Sequence, residues 1–523
     1  MRSAVPQLQD YLTVSAERLP GKVALVCGGR RVSYRELEES SNALARGMAG
    51  RGVARGDRVI IFADNTVETV VAFWAALKAN AVAVLVNPLT KADRLGYLLA
   101  DCRPTALITD GHLEGVWKGV AGAPHLKALV VSGRVNPVLR AGISTLVAFD
   151  ELLAEAVSRP PPPSLNIDID LASIVYTSGS TGDPKGVMLT HRNMLTAATS
   201  VSSYLGLLED DVILNTLPLA FDYGLYQMIM AFRQGARLIL ERSFTYVAEV
   251  LKVASAERIT GLPGVPTIFA ILAEMRSLGS FDLSSVRFVT NTAATLPLKH
   301  IEFMKRAFPG ARIYSMYGLT ESKRCTYLPP ADVDRKPTSV GIAIPNTEVW
   351  VVDDQGNRVA PGVVGQLVVR GATVMKGYWE KPEATARKLK PGPLPGEKVL
   401  WTGDYCKMDE EGYIYFVGRM DDIIKSRGEK VAPKEVENVL VSLPGIREAA
   451  VIGVSDDLLG EAVKAFVVLE AGAQLTAREI QNYCQSKLEN FKVPKVIEFM
   501  AELPKTDTGK VKKTGLRQSN CRE

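Results

Sequence analysis

Residues 174–186 read Ile-Val-Tyr-Thr-Ser-Gly-Ser-Thr-Gly-Asp-Pro-Lys-Gly, an apolar run that opens into glycines, hydroxyls and one lysine. Phosphate binding asks for this mixture. Glycine lets the backbone approach closely, and consecutive amides can form an anion nest. Serine and threonine add donors, and Lys185 adds a positive charge. The spacing matches neither GxxxxGK[ST] nor GxGxxG, so neither a P-loop NTPase nor a dinucleotide fold is indicated. A plain flexible surface loop is the competing reading. A second chemical signal is Pro218-Leu-Ala-Phe-Asp-Tyr-Gly224, which sets Asp222 among apolar and aromatic neighbours. A carboxylate in such a setting needs a cationic partner.

The elements that must position these groups alternate. Val23–Cys27, Val59–Phe62, Val82–Val86 and Ala106–Thr109 are short apolar runs. Between them lie helical patterns, one opened by the capping box Ser33-x-x-Glu36 with Leu37, Leu44 and Met48 on one face. Another spans about Glu68 to Ala79, and a third about Lys91 to Asp101. Such βαβ rhythm predicts parallel sheet covered by helices. Arg159-Pro-Pro-Pro-Pro-Ser164 is a stiff connector before the glycine loop. From about 335 to 418, short strands punctuated by glycine predict a small barrel-like unit, and after Arg419 a charged, hinge-like stretch precedes a small C-terminal domain. The expected fold class is α/β. A large N-terminal domain of parallel-sheet subdomains (1–419) carries the barrel-like part, and a small mobile α+β domain follows (420–523).

Composition narrows the class. The chain has 523 residues, 47% hydrophobic and 23% charged, with 62 basic against 57 acidic side chains. A net charge of +5 over that length is no nucleic-acid signature. The 6 cysteines include no CxxC pair and the 4 histidines no HExxH, so no dedicated metal cage is expected, though a metal could arrive with a nucleotide. Scattered thiols suit a reducing compartment. No run of about 18 apolar residues is present, so no membrane span is expected and the cytoplasm is the expected location.

Tyr176–Val187, YTSGSTGDPKGV, resembles the signature of the adenylate-forming superfamily, which holds acyl-CoA synthetases, nonribosomal-peptide adenylation domains and luciferases. Further motifs follow in order over nearly the whole chain. Ser315-Met-Tyr-Gly-Leu-Thr-Glu321 is similar to Y-G-x-T-E, Trp401-Thr-Gly-Asp404 to T-G-D, Gly418-Arg-Met-Asp421 to the hinge motif, and Pro504-Lys-Thr-Asp-Thr-Gly-Lys510 to P-K-T-x-x-G-K. The resemblance implies ATP, Mg²⁺ and a phosphopantetheine thiol as acceptor. Thr177, Ser178, Gly179, Ser180, Thr181, Gly182 and Lys185 would hold phosphate. Met316, Tyr317 and Gly318 would lie by the nucleotide, Thr320 would contact phosphate, and Glu321 would hold the metal. Ala293 and Ala294 replace the family's glycines in a nucleotide-binding segment. Asp404 would bind the ribose hydroxyls, Arg419 ribose or phosphate, and Asp421 would be the hinge. Gly428 would line the thiol's path. Thr177, Lys185, Glu321 and Lys510 would serve catalysis, Lys510 by bringing one anion to attack another; a basic tail is the alternative. Gln366, where relatives often have glutamate, falls at a structural position.

Carried over residue by residue, the acid pocket is Phe221, Asp222, Tyr223, Tyr226, Thr290, Thr292, Met316, Arg324 and Cys325. Phe221 takes the position of a histidine found in many carboxylate–CoA ligases. Amino-acid adenylation domains carry Phe-Asp there, with the aspartate on the substrate ammonium. The leading expectation is therefore amino-acid activation, with a β-amino or aspartate-like acid resembling the substrates of stand-alone enzymes in macrolactam polyketide biosynthesis, a branch of secondary metabolism. A carrier protein in trans would accept the product, since none follows Lys510. A partner within the protein for Asp222, such as Arg324, is the competing reading, and Arg324 could also face outward. The alternative function is a general AMP-forming acyl-CoA ligase using free CoA. The expected assembly is a monomer or a homodimer. Lys510→Ala is expected to cripple acyl-AMP formation while sparing thiol transfer from supplied acyl-AMP. Equal loss of both half-reactions would remove Lys510 from its assigned role.

Overall fold

The structure, a computed structural model, describes residues 7–155, 161–178, 184–292, 296–422, 424–426, 429–456, 460–505 and 511–519. The chain divides into two compact units. The first holds 1–338, 343–348 and 369–400, and the second 339–342, 349–368 and 401–523.

The first unit is built on two large sheets. One runs in the order Gly377–Tyr378, Pro184–Thr190, Leu171–Ser178, Val82–Val86, Arg58–Phe62, Ala106–Asp110, Ala128–Ser132, Leu146–Ala148. Its interior pairs are parallel, and Pro184–Thr190 is antiparallel to both of its neighbours. Val82–Val86 is buried at every residue, which explains its unbroken apolar run: a parallel strand covered on both faces has no wet side. Thr66 caps the helix Val67–Lys78 through the amide of Thr69, and the Ser33–Glu36 capping box opens Tyr34–Gly50.

The other sheet is parallel through Val23–Cys27, Arg237–Leu240, Val212–Asn215, Gly261–Gly264, Phe288–Asn291 and Arg312–Leu319. It then reverses: Ser322–Tyr327 folds back antiparallel on Arg312–Leu319 through a turn of only two residues, Thr320 and Glu321. Register slips at Leu319, which faces both Ser322 and Lys323. Gly318 is required there, because a Cβ would lie 2.9 Å from the Cα of Arg324. The helix Asp222–Gln234 buries ten of its residues and ends at Gly235 in the left-handed conformation. At its start a Cβ on Gly224 would press inside van der Waals distance of the Pro218 and Leu217 carbonyl oxygens.

In the second unit, Asp404–Met408 pairs antiparallel with Ile414–Arg419. Gly365 sits where any Cβ would strike the Val352 carbonyl, a packing reason for that glycine. The C-terminal part carries Ile424–Ser426, Glu429–Val431, Ile446–Asp456, Gly460–Leu469 and Val496–Phe499 in one mixed sheet. Helices Pro433–Ser442 and Ala477–Gln485 cover it, and a core of Val436, Leu440, Val451, Val463, Ile480 and Cys484 lies between. The chain is thus α/β, with parallel sheets and a separate small C-terminal domain.

Gly224→Ala is expected to cost about 1–3 kcal/mol from overpacking against backbone that cannot yield. Gly115→Ala, which meets nothing within 4 Å, should shift stability by no more than about 0.5 kcal/mol. Thermal unfolding of the two variants side by side checks the difference.

Candidate active site

The strand Leu171–Ser178 delivers Thr177 to the rim of its sheet, and register sets Thr177 opposite Lys185 and Tyr176 opposite Gly186. Gly186 leaves room that Ile174, Tyr176 and Trp379 occupy. Gly179, Ser180, Thr181 and Gly182 lie outside the described residues. Lys185 Nζ stands 5.8 Å from the centre of the Tyr378 ring, and the Tyr378 hydroxyl donates to Glu321 Oε1 at 2.6 Å. One tyrosine therefore gathers the cation of the glycine-loop hairpin and the carboxylate of the Ser315–Glu321 motif. The amide of Met375 donates to the Glu321 carbonyl at 2.8 Å and fixes the turn. Tyr378 was not singled out from sequence. It sits in Lys376-Gly-Tyr-Trp379, whose residue types announce no chemistry, and its partners are distant in the chain. Thr177, Tyr317, Gly318, Thr320 and Glu321 are all half-exposed. A half-exposed carboxylate, two hydroxyls and an ammonium form a donor set that fits a magnesium–triphosphate.

The predicted acid pocket is brought together around the helix Asp222–Gln234. Phe221 precedes it and meets Tyr223 edge-on at 6.3 Å. Tyr223 donates to the Thr290 carbonyl at 3.0 Å, and its hydroxyl lies 2.6 Å from Thr290 Oγ1. Arg324 turns inward and is 3% exposed; its Nη1 donates to Thr292 Oγ1 at 2.6 Å and its guanidinium lies 5.2 Å over the Tyr223 ring. Met316 and Cys325 are buried, and the Cys325 thiol contacts the Ser322 carbonyl at 3.6 Å. Among the described residues the partner of Asp222 is not Arg324. It is Lys323, whose Nζ stands 3.4 Å from Oδ2. Lys323 is 4% exposed and stacks over the Tyr226 ring at 4.6 Å and the Tyr223 ring at 5.6 Å. Burial pulls its ammonium pKa down to about 7, with Asp222 opposing that fall and Arg324 adding to it. Burial also pushes the Tyr223 hydroxyl up to about 12 and that of Tyr226 well above the ordinary tyrosine value.

Arg324 has φ = +131°, a left-handed setting for a residue that carries a side chain. Backbone held this way costs about 1–3 kcal/mol and clusters at functional sites. Lys323 was missed in the sequence, where it reads as one more charge in Glu-Ser-Lys-Arg-Cys325. The signal available was Asp222 itself, a carboxylate in want of a cation.

In the second unit Asp404 is nearly buried and its amide donates to Thr402 Oγ1 at 3.1 Å. Arg419, paired with it in register, brings Nε to 3.6 Å from Oδ1 while the rest of its side chain stays exposed. The backbone of Asp421 lies in the short turn Met420–Asp422, and its side chain is outside the description. Ala293, Ala294, Gly428 and Lys510 also lie outside the described residues. No helix among the described residues is long and apolar enough to cross a membrane.

Residues 12–379 match the family described as AMP-binding enzyme, and residues 435–510 match the AMP-binding enzyme C-terminal domain. A long-chain-fatty-acid–CoA ligase of Bacillus subtilis (strain 168) is 32% identical over 536 residues, spanning 96% of this chain and 93% of that protein. A feruloyl-CoA synthase of Amycolatopsis sp is 34% identical, spanning 96% and 97%. Among solved structures, the anthranilate CoA ligase AuaEII in complex with anthranoyl-AMP superposes with a TM-score of 0.89 at 29% identity, over 99% of this chain and 98% of that one. The amide bond synthetase McbA from Marinactinospora thermotolerans superposes at 0.86 with 26% identity, over 98% and 99%. With both domain signatures present and homology along its whole length, the chain belongs to the AMP-binding enzyme family of the adenylate-forming superfamily, and it is an ATP-dependent, AMP-forming ligase.

Proposed function

We propose that this protein is an acyl-CoA ligase that takes free CoA. In the first half-reaction an oxygen of the acid attacks the α-phosphorus of ATP, and the bond to the pyrophosphate oxygen breaks. In the second, the CoA thiol attacks the acyl carbon, loses its proton, and AMP leaves with its oxygen. The observation that carries the reading is the Asp222–Lys323 contact at 3.4 Å. The carboxylate that would hold a substrate ammonium already has a buried ammonium of the protein's own. Relatives named as CoA ligases and a CoA synthase support free CoA over a carrier protein as acceptor.

On this reading Glu321 would hold Mg²⁺, which when bound would offset charge on the departing pyrophosphate, and the Thr177 and Thr320 hydroxyls would contact phosphate. Lys185 and the glycine loop hold the phosphates. Tyr378 orients the Glu321 carboxylate through its 2.6 Å hydrogen bond. Asp404 takes the ribose hydroxyls and Arg419 the ribose or phosphate. Lys510 brings the acid's carboxylate to the α-phosphate, Asp421 is the hinge between domains 1–419 and 420–523, and Gly428 lines the thiol's path. A lid of that kind shields the anhydride from water. The five described cysteines are buried thiols, which suits the cytoplasm.

Pyrophosphate release with Mg-ATP, across α- and β-amino acids and across simple aliphatic and aromatic acids, is expected only with the simple acids. Free CoA should then be consumed. Release with amino acids alone, with CoA untouched, would overturn the reading. Asp222→Ala is expected to destabilise the fold by about 3 kcal/mol, by stranding Lys323, rather than to change which acid class is used. Urea unfolding beside the acid panel checks both.

A further inference from the structure

Three features of the acid pocket have no use in the reaction so far. First, Lys323 and Arg324 bury two cationic groups side by side, at 4% and 3% exposure, while Asp222 is the carboxylate facing them among the described residues. Second, Arg324 Nε and the Tyr226 hydroxyl are buried with no hydrogen-bond partner among the described residues. An unpaired buried donor forfeits about 1–3 kcal/mol, and more when the group is charged. Third, Arg324 keeps this position at the expense of a strained backbone, φ = +131°. A structural arginine would be expected to find its partners and to relax. A guanidinium held under strain with a donor unmet is better explained by a ligand that supplies the missing acceptor.

The surroundings limit what that ligand can be. Tyr223 and Tyr226 offer their ring faces to the two cations, at 5.2 Å for Arg324 and 4.6 Å for Lys323. Ring faces are no hydrogen-bond acceptors for a guanidinium edge, so the need is for an oxygen with negative charge. A carboxylate meets it, because its two oxygens match the planar arginine fork and can also accept from a tyrosine hydroxyl. Phe221, Asp222 and the segment 317–321 are half-exposed, and Glu321 on that segment is engaged by Tyr378.

We propose that the acid this enzyme activates carries a second carboxylate, distal to the one that is adenylated, and that Arg324 and Lys323, with the Tyr226 hydroxyl, bind it. The inference rests on the adenylation of a small acid. With that carboxylate seated, the buried charges balance, the Arg324 Nε gains its acceptor, and monocarboxylic acids of equal length are disfavoured because they leave the set unmet. Lys323 and Arg324 are thus specificity-determining residues.

The test is pyrophosphate release by the full-length protein with Mg-ATP and no thiol. Acids are offered as pairs of equal carbon number: butanoate and succinate, hexanoate and adipate, octanoate and suberate, benzoate and terephthalate. In at least one pair the diacid is expected to exceed the monoacid in kcat/KM by about tenfold or more, since a site built for a polar group rejects the analogue that lacks it. Arg324→Gln should remove that preference by raising KM for the diacid far more than for the monoacid of equal length. Arg324→Lys should recover part of it. Monoacids matching or exceeding diacids in every pair, or no release with any acid, would overturn the proposal from the wild-type protein alone. Equal loss of both acid classes in a folded Arg324→Gln would likewise overturn it and assign the arginine to structure. Free CoA left unconsumed while a diacid is adenylated would instead remove the CoA reading and leave the diacid preference standing.

Discussion

An ammonium taken out of water costs several kcal/mol unless an opposite charge meets it, and the first unit buries that of Lys323 directly beside a guanidinium. The groups packed around Lys323 answer to this constraint. Asp222 begins its helix at the point where its carboxylate can reach Lys323. Tyr223 and Tyr226 turn their rings toward the cations, and Thr292 takes one arginine donor. Gly318 lacks a side chain because the Arg324 backbone comes within 2.9 Å of where its Cβ would be. Removing Asp222 would leave two buried cations with no carboxylate facing them among the described residues.

The group around Tyr378 is organised differently. Glu321 and Lys185 are half-exposed, and Tyr378 joins them with one hydrogen bond and one ring face. Water screens such groups, so their arrangement stores little energy. On the proposed function these charges receive a highly charged nucleotide and release AMP and pyrophosphate, which light holding suits. The short turn between the strands Arg312–Leu319 and Ser322–Tyr327 separates the two regimes, with Glu321 facing one and Lys323 the other.

Much of this was legible in the residue pattern. The Ser33–Glu36 capping box, the strand Val82–Val86 and the strand that leads into Thr177 follow from short-range rules that tertiary context did not override; the antiparallel return strand that carries Lys185 was not read. The demand of Asp222 for a cation was also readable, but the identity of that cation was not. In a regular strand successive side chains point to opposite faces, so Lys323 and Arg324 should not share a neighbour. Both nevertheless lie over the Tyr223 ring, where the register slips at Leu319 and Arg324 takes a positive φ. A departure from strand alternation leaves no trace in a single sequence. Tyr378 escaped for another reason: it reaches Glu321 across 57 residues, and nothing local marks the contact.

The order in which the chain leaves the ribosome gives that contact a further meaning. The first unit takes its last segment, 369–400, only after the chain has made 349–368 for the second unit. Tyr378 belongs to that late segment, as does the edge strand Gly377–Tyr378 that closes one sheet against Pro184–Thr190. A nascent chain can therefore form most of both large sheets and still lack the residue that joins Lys185 to Glu321. Domains fold as they emerge, but here no single cut between 338 and 401 yields two whole units, so the cluster of Lys185, Tyr378 and Glu321 is completed only when synthesis is well advanced.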